Sequence, residues 1–248
     1  MTEGYLRYLA KIDEGLTHVR TPEVLASIDA AAEVIAASVA ADGVLYAFGA
    51  SHAGLMVQDQ FYRAGGLAAV QPILPRELML DTRPVQETTR IEQTIGVGAT
   101  YLEPYPVRPG DVVLVVSVSG RNPVPVQLAI AARERGAKVV ALTSVTYSRS
   151  VSGRGVPRLL EVADIVIDLG GVPGDASVEL GDGMPAAGPT SSPIGTAVLH
   201  GLAVEVATRL LLAGVTPPVF ASANLDDAAE WNDGLIERYR SRVDYLGS

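Results

Sequence analysis

The chain has 248 residues, a hydrophobic fraction of 48%, an aromatic fraction of 5% and a formal net charge of −9. Its length and apolar content favour one large α/β core built from Ala, Val, Ile and Leu, as in a parallel sheet covered by helices. The negative charge disfavours general binding to nucleic acid or anionic membranes, and the absence of cysteine excludes disulfides and thiolate metal sites.

The N-terminal part is predicted to form two helices before any strand. Apolar residues recur at helical spacing between positions 2 and 18, and Thr21 followed by Pro22 is typical of the start of a second helix that ends near Ala41. We expect residues 1–42 to act as a cover or a dimerisation face. The chain start lacks the basic and apolar segments of a secretion signal, so a cytoplasmic location is expected.

After these helices, strands alternate with helices. Strands are predicted at 44–48, 67–74, 112–116, 138–142 and 165–169, with helices at 55–63, 85–102, 124–135, 192–213 and 224–239. This alternation predicts a doubly wound parallel sheet that binds ligands at the carboxyl ends of its strands. Residues 170–190 are rich in Gly, Pro, Asp and Ser and are predicted to form an active-site loop. His200, Glu205 and Arg209 interrupt the apolar segment 197–215, which argues against a membrane span.

The most informative stretch is DVVLVVSVSGR, which begins at Asp111. Its apolar run, Val112–Val116, predicts a strand buried on both faces, and a helix follows the next loop. That loop and the residue before the helix, 117–122, are called the second serine turn. It supplies the hydroxyls of Ser117 and Ser119 beside Gly120, which allows close approach of backbone N–H groups to a ligand. A phosphate cradle at a helix start is one interpretation; a turn whose serines merely cap the helix is the other.

A comparable turn, GASHAG at residues 49–54, follows the first predicted strand and is called the first serine turn. Ser51 stands where a dinucleotide fingerprint requires its second glycine, and Leu55 and Met56 stand where a Walker loop requires Lys and Ser or Thr. NAD and ATP sites are therefore disfavoured. Two such turns at equivalent places in one sheet indicate a shared anionic ligand.

The segments FGASHAGLM and VVSVSGRN together resemble the SIS (sugar isomerase) domain, whose Ser-x-Ser-Gly-x-Ser/Thr loop holds the phosphate of a phosphosugar. The segment KVVALT, at 138–143, is similar to the family's strand after that loop. The resemblance covers roughly residues 20–215 and implies a flavodoxin-like sheet of five parallel strands with helices on both faces. It also implies a homodimer or homotetramer, because a neighbouring subunit often completes the site. We assign 43–215 to the SIS domain and 216–248 to a C-terminal helical extension.

The resemblance also assigns residues to the phosphate and sugar site. Asn122 stands at the family's hydroxyl position and can donate through its amide. His52 is expected either to bind a sugar hydroxyl or to cap its helix. The predicted binding residues are Ser51, His52, Ser117, Ser119, Gly120 and Asn122.

The residue that performs chemistry is less evident. Aldose–ketose isomerisation requires a base and a group that assists ring opening, typically Glu and His. Phosphoheptose isomerases carry both on the helix after the first serine loop, but Val57 and Phe61 stand at the nearest places here, so those roles do not transfer. The candidates are Glu92, Glu179 and His200, with Glu92 preferred slightly over Glu179. A solvated helix face for Glu92 and a satisfied core position for His200 are the alternatives.

These observations predict a phosphosugar-binding SIS protein, with an aldose–ketose sugar-phosphate isomerase as the first hypothesis. A lyase or etherase acting on an amino-sugar phosphate requires the same proton abstraction, and a non-catalytic phosphosugar sensor requires none. The expected partner is a small sugar phosphate, without nucleic acid, membrane, metal or cofactor. Glu205 is expected to pair with Arg209 one helical turn away rather than to act in catalysis.

Overall fold

A parallel sheet of five strands, in the order β2-β1-β3-β4-β5, forms the centre of the fold. It is seen in a computed structural model that describes residues 2–247. The strands are β1 Leu45–Gly49, β2 Val70–Ile73, β3 Val112–Val116, β4 Lys138–Thr143 and β5 Ile165–Asp168. Every residue of β1 and β3 is buried, as expected for apolar runs covered on both faces. The predicted doubly wound, flavodoxin-like α/β fold is confirmed.

Helices cover both faces of this sheet. Helices α2, α3 and α8 pack together as one layer, while α5 and α7 form another against β3 and β4. The two N-terminal helices are present as predicted. The helices are α1 Glu3–His18, α2 Pro22–Ala40, α3 His52–Gln60, α4 Gln86–Glu92, α5 Pro123–Glu134, α6 Val145–Ser150, α7 Leu159–Val162, α8 Ser191–Leu212 and α9 Ala228–Tyr239.

The continuous helix predicted at 85–102 is wrong. Helix α4 ends at Glu92, and a short 3-10 helix, Gly98–Leu102, follows after a break. At the break Gly96 has a φ of 95°, and the N–H groups of Gly96 and Gly98 donate to Gln127 Oε1 at 2.9 and 3.3 Å. These bonds to α5 replace the helical ones, so tertiary contacts end the helix.

The segment at 170–190 is more ordered than a loop. It forms an antiparallel hairpin of β6 Ala176–Val178 and β7 Ala187–Pro189. The hairpin rests on α1, because Arg7 donates to the carbonyl of Glu179 at 2.7 Å and the Tyr8 hydroxyl donates to the carbonyl of Pro189 at 2.8 Å. The first helix therefore fixes the segment that was expected to border the site.

Two other elements differ in length from the prediction. Strand β2 spans only 70–73, because residue 67 forms an isolated antiparallel bridge with Val219 instead of joining the sheet. The last helix begins at Ala228 rather than at 224. Helix α8 is long and apolar enough to cross a membrane by length and composition, and one side of it packs against α2 and α3.

A buried carboxylate joins three parts of the chain at the amino end of the sheet. Asp111 accepts hydrogen bonds from Val44 N at 3.1 Å and Arg108 N at 3.0 Å. Arg242, after α9, donates to both of its carboxylate oxygens at 2.8 and 2.9 Å. The C-terminal segment is thus tied to the starts of β1 and β3, while the division at 42/43 and 215/216 stays a prediction.

Candidate functional site

The register of β1 and β3 places the two serine turns side by side. Gly49 at the end of β1 is opposite Val116 at the end of β3. The chain leaves β1 toward β2 on one side and returns to β3 on the other, so this position is the topological switch point of the sheet. In doubly wound folds, the crevice at the switch point is where ligands bind.

The second serine turn is held tightly against the neighbouring strand and helix. Gly120 has a φ of 58°, its N–H donates to the carbonyl of Ser117 at 3.1 Å, and its own carbonyl accepts from Leu159 N at 2.7 Å. A Cβ at this position would lie 3.1 Å from Thr143 Oγ1 and 3.2 Å from Ser148 Oγ. Both the left-handed backbone and the close packing therefore require glycine.

The donors available to an anion at this turn differ from those of an ordinary helix start. Helix α5 begins with Pro123, and Pro125 follows in its first turn, so two of its early N–H donors are missing. Arg121 lies within the turn, and its buried Nε has no hydrogen-bond partner among residues 2–247. The sequence leaves Arg121 either to steer a phosphate or to lie as an ordinary exposed loop arginine, and the structure buries its Nε.

The first serine turn is braced by the segment after β2. Ser51 has a φ of 55°, and its N–H donates to the carbonyl of Leu78 at 2.7 Å. The Ser51 hydroxyl lies 3.2 Å from Thr88 Oγ1, which itself donates to the carbonyl of Val85 at 2.8 Å. Ser51 therefore donates to Thr88 and keeps lone pairs as acceptors. His52 is exposed and begins α3.

Glu92 is the candidate base that the structure brings to the second serine turn. Its side chain lies against Asn122 and near Arg154, and burial raises the pKa of its carboxyl group, while hydrogen bonding with Asn122 and the charge of Arg154 oppose that rise. The Oδ1 atom of Asn122 accepts from Arg154 Nη1 at 2.5 Å. A carboxyl group whose pKa is shifted toward neutrality is suited to proton transfer.

Glu179 lies on the β6–β7 hairpin with an exposed side chain, and its described contact is through its carbonyl to Arg7. No described contact brings it to the serine turns.

His200 lies on α8, where Nε2 is 2.7 Å from Asp59 Oδ2 and Nδ1 is 3.3 Å from Gln60 Nε2. Gln60 ends α3, and the rise of a helix places it about 12 Å along the axis from His52. His200 therefore joins α8 to the far end of α3.

The pair predicted between Glu205 and Arg209 is confirmed at 3.1 Å.

Sequence reasoning missed two residues at the site, Thr88 and Arg154. Thr88 lies inside the helix predicted at 85–102, and nothing in its local pattern indicates a contact with Ser51. Arg154 lies outside the predicted strands and helices, and it reaches Asn122 across 32 positions of sequence. Among residues 2–247, no group of three His, Cys, Asp or Glu side chains is arranged to hold a metal ion.

The strand order, with serine turns on both sides of the switch point, defines an α/β domain of the sugar-isomerase type. A family model described as "SIS domain" matches residues 7–144, and the chain belongs to this family. The chain is 42% identical over 218 residues to a UPF0309 protein of Shouchella clausii, covering 87% of this chain and 89% of that protein. It is 39% identical over 246 residues to a UPF0309 protein of Brucella canis, covering 99% and 100%.

Solved structures support the same fold. A phosphoheptose isomerase from Neisseria gonorrhoeae superposes with a TM-score of 0.58 at 16% identity, covering 84% of this chain and 98% of that one. A phosphoheptose isomerase from Francisella tularensis gives a TM-score of 0.53 at 14% identity, with the same coverage of 84% and 98%. At these identities the likeness concerns the fold.

Replacement of Gly120 by alanine is expected to destabilise the protein. A Cβ at a φ of 58°, pressed on Thr143 and Ser148, should lower the free energy of unfolding by about 1–3 kcal/mol. Gly234→Ala is the matched control, because Gly234 lies within α9 with open space around it and alanine should stabilise a helix there by up to about 1 kcal/mol. Urea unfolding measures both, and equal effects of the two substitutions would contradict the described packing.

Proposed function

We propose that this protein binds a phosphorylated sugar at the two serine turns and isomerises it between aldose and ketose forms by general acid–base proton transfer. The observation that carries the proposal is the pair of serine turns side by side at the ends of β1 and β3, where Asn122 accepts from Arg154 at 2.5 Å and burial raises the pKa of Glu92. An isolated serine turn would equally suit a helix cap, but a half-buried carboxyl beside it supplies the group that a proton transfer requires.

Charge and hydrogen-bonding capacity support phosphate as the handle of the substrate. The second serine turn offers the hydroxyls of Ser117 and Ser119 and the unused Nε of Arg121. Among residues 2–247, no ion pair contains Arg121 or Arg154, so neither guanidinium group is neutralised by a carboxylate. Two such guanidinium groups beside a hydroxyl-lined turn favour a dianionic ligand. Membership of the SIS family and the phosphosugar isomerases among the structural neighbours point the same way.

The proposed chemistry begins with Glu92. As a carboxylate, it would take the proton on the carbon next to the sugar carbonyl, and an enediolate would form. Return of that proton to the neighbouring carbon, together with transfer of the hydroxyl proton to the former carbonyl oxygen, would give the isomer with no net change in atoms or charge. Because burial raises the pKa of Glu92, the carboxylate is a stronger base than an exposed glutamate. Loss of a leaving group from the same intermediate would give the lyase or etherase alternative. Glu179 stays a prediction as the alternative base, and His200 stays a catalytic candidate.

Substitution of Ser119 by alanine should weaken sugar-phosphate binding. Hydrogen bonds to charged groups contribute about 1.5–3 kcal/mol, so the dissociation constant should rise roughly 10- to 100-fold. Thermal unfolding against a panel of sugar phosphates measures this, because a ligand at about 100 times its Kd stabilises by about 2.7 kcal/mol. Ser150→Ala is the control, since that exposed serine bonds only the carbonyl of Tyr147. Absence of any stabilisation by the whole panel would sink the phosphate site.

Solvent deuterium should enter a bound sugar phosphate when wild-type protein is present. Glu92→Gln should slow this exchange by about 10²–10⁴-fold, the contribution of a positioned base, while thermal stabilisation by the ligand is retained. Glu179→Gln is the matched control and should exchange normally. Tight binding without exchange in the wild type would instead indicate a phosphosugar sensor, and exchange retained in Glu92→Gln would remove Glu92 from the mechanism.

We further propose that the protein is a cytoplasmic homodimer or homotetramer. The support for an oligomer is the outer face of α8. There Val204 and Leu211, seven positions apart, are each 64% exposed and lie on one side of the helix. Apolar residues aligned on an exposed helix face favour contact with another protein surface. The occupant proposed is a second copy of this chain, as the SIS resemblance implies.

The double substitution Val204→Glu and Leu211→Glu should convert the assembly to monomers, because two charges would then be buried in the contact. Sedimentation velocity measures the change. Leu225→Glu, at a residue that is 63% exposed on another segment, should leave the assembly intact. A wild-type protein that sediments as a monomer at micromolar concentration would contradict the proposal.

A further inference from the structure

Two hydrogen bonds hold Ser51 in the first serine turn. Its N–H donates to the carbonyl of Leu78 at 2.7 Å, and its hydroxyl oxygen lies 3.2 Å from Thr88 Oγ1. Thr88 is only 2% exposed, so the contact between the two hydroxyls is shielded from water. The direction of this second bond decides what Ser51 can offer to a ligand.

The surroundings of Thr88 set that direction. A hydroxyl group carries one proton and two acceptor sites. Thr88 Oγ1 is 2.8 Å from the carbonyl oxygen of Val85, and because a carbonyl can only accept, the proton of Thr88 lies in that bond. The contact at 3.2 Å therefore uses the proton of Ser51, with Thr88 Oγ1 as its acceptor.

The main chain adds no free donor at Ser51. Its N–H is bonded to Leu78, which is fully buried, and its carbonyl accepts from Gly54 N at 3.0 Å. Its φ of 55° is uncommon for a residue other than glycine and persists where the surroundings fix it. Both protons of Ser51 are therefore used inside the protein, and its hydroxyl lone pairs are what remains for a ligand.

The second serine turn has the opposite hydrogen-bonding polarity. The hydroxyl of Thr143 is used there, since it donates to the carbonyl of Val118 at 3.1 Å, but no side-chain hydrogen bond among residues 2–247 includes the hydroxyl of Ser117 or Ser119. Those two hydroxyls and the buried Nε of Arg121 are able to donate. A phosphate dianion offers only acceptor oxygens, so it matches the second turn and would meet lone pairs at Ser51.

Resting on the proposed function, we propose that Thr88 is a positioning residue that fixes the Ser51 hydroxyl as an acceptor, so that Ser51 binds a hydroxyl group of the sugar and not the phosphate. The two turns then divide the ligand. The second turn takes the phosphate, and the first turn selects a sugar phosphate that presents a hydroxyl donor to the end of β1. This division departs from the expectation that both turns share the anion.

A fixed acceptor discriminates between a hydroxyl group and a group that cannot donate. A site built to bond a substrate hydroxyl rejects an analogue that lacks it, because the polar group of the protein is left unpaired. Fluorine is a suitable probe, since it is close to a hydroxyl in size but has no proton to donate. A serine that could turn its own proton toward the ligand would discriminate less.

The first measurement compares inorganic phosphate with the tightest-binding sugar phosphate of the panel. Ser51→Ala should raise the dissociation constant of the sugar phosphate roughly 3- to 10-fold, the effect of one neutral hydrogen bond, and leave that of inorganic phosphate unchanged. Ser119→Ala should raise both dissociation constants. An equal loss of inorganic phosphate binding in the two variants would make Ser51 a phosphate ligand and overturn the proposal.

The second measurement uses analogues of that sugar phosphate in which one hydroxyl at a time is replaced by fluorine. At one position the wild-type preference for hydroxyl over fluorine should be lost in Ser51→Ala and should shrink about threefold or more in Thr88→Val, where the Ser51 proton is free to turn. Thr88→Ser, which keeps the hydroxyl, should restore the preference. Thr89→Val, at an exposed neighbour on α4, is the matched control and should behave as wild type.

Thr88→Val is expected to fold. Valine has nearly the shape of threonine, and the carbonyl of Val85 keeps its bond from the N–H of residue 88 at 3.1 Å. Should the variant fail to fold, neutron diffraction of deuterium-exchanged wild-type crystals locates the same proton directly. A deuteron on Ser51 Oγ that points to Thr88 Oγ1 is expected, and one that points away from it would overturn the proposal.

The results distinguish this proposal from the proposed function. If wild type binds no sugar phosphate of the panel, the proposed function fails, and the role given to Ser51 fails with it. If wild type binds a sugar phosphate but Thr88→Val keeps every wild-type preference between hydroxyl and fluorine, only the positioning role of Thr88 is overturned, and the phosphate site at the second serine turn stands.

Discussion

The hydrogen bond from Val44 N to Asp111 sets the geometry on which the site depends. Val44 precedes β1 and Asp111 precedes β3, so this bond fixes the register of the two strands at their amino ends. Each strand then runs for five residues, and Gly49 meets Val116 at the carboxyl end. Because side chains alternate with a period of two, a slip of one residue would turn the buried set of a strand to its other face.

The buried Asp111 carboxylate would destabilise the protein if it had no partner of opposite charge. A buried charge without a partner destabilises a protein by several kcal/mol, and removal of one member of a buried pair costs about 3–5 kcal/mol. Arg242 supplies the compensating charge from the end of the chain, and two backbone N–H groups fill the remaining lone pairs. The C-terminal segment thus contributes to the placement of the serine turns, although it contacts the amino ends of the strands and the turns lie at the carboxyl ends.

The parts that could be predicted from sequence are those determined by local pattern. A buried parallel strand reads as a continuous apolar run, so β1 and β3 were located almost to the residue, and the serine turns followed from the residues after them. The break after Glu92 could not be read locally, because it depends on Gln127 of α5 accepting from two glycines. Thr88 and Arg154 were missed for the same reason, since their partners are 37 and 32 positions away. His200 had a helical position compatible with catalysis or with packing, and only the structure shows that it contacts Asp59, Gln60 and Arg63.

The surroundings of Glu92 bear on the choice between an enzyme and a sensor. Both would need the serine turn, the hydroxyls and the arginines, because both must hold the phosphate. A sensor gains nothing from a half-buried carboxyl group close to an anionic ligand, since burial and like charge both disfavour its ionised form. Here burial outweighs the opposing effects of Asn122 and Arg154, and the pKa is raised. An arrangement that costs stability beside a candidate ligand site is expected where a proton must be moved, and this agrees with the proposed enzyme.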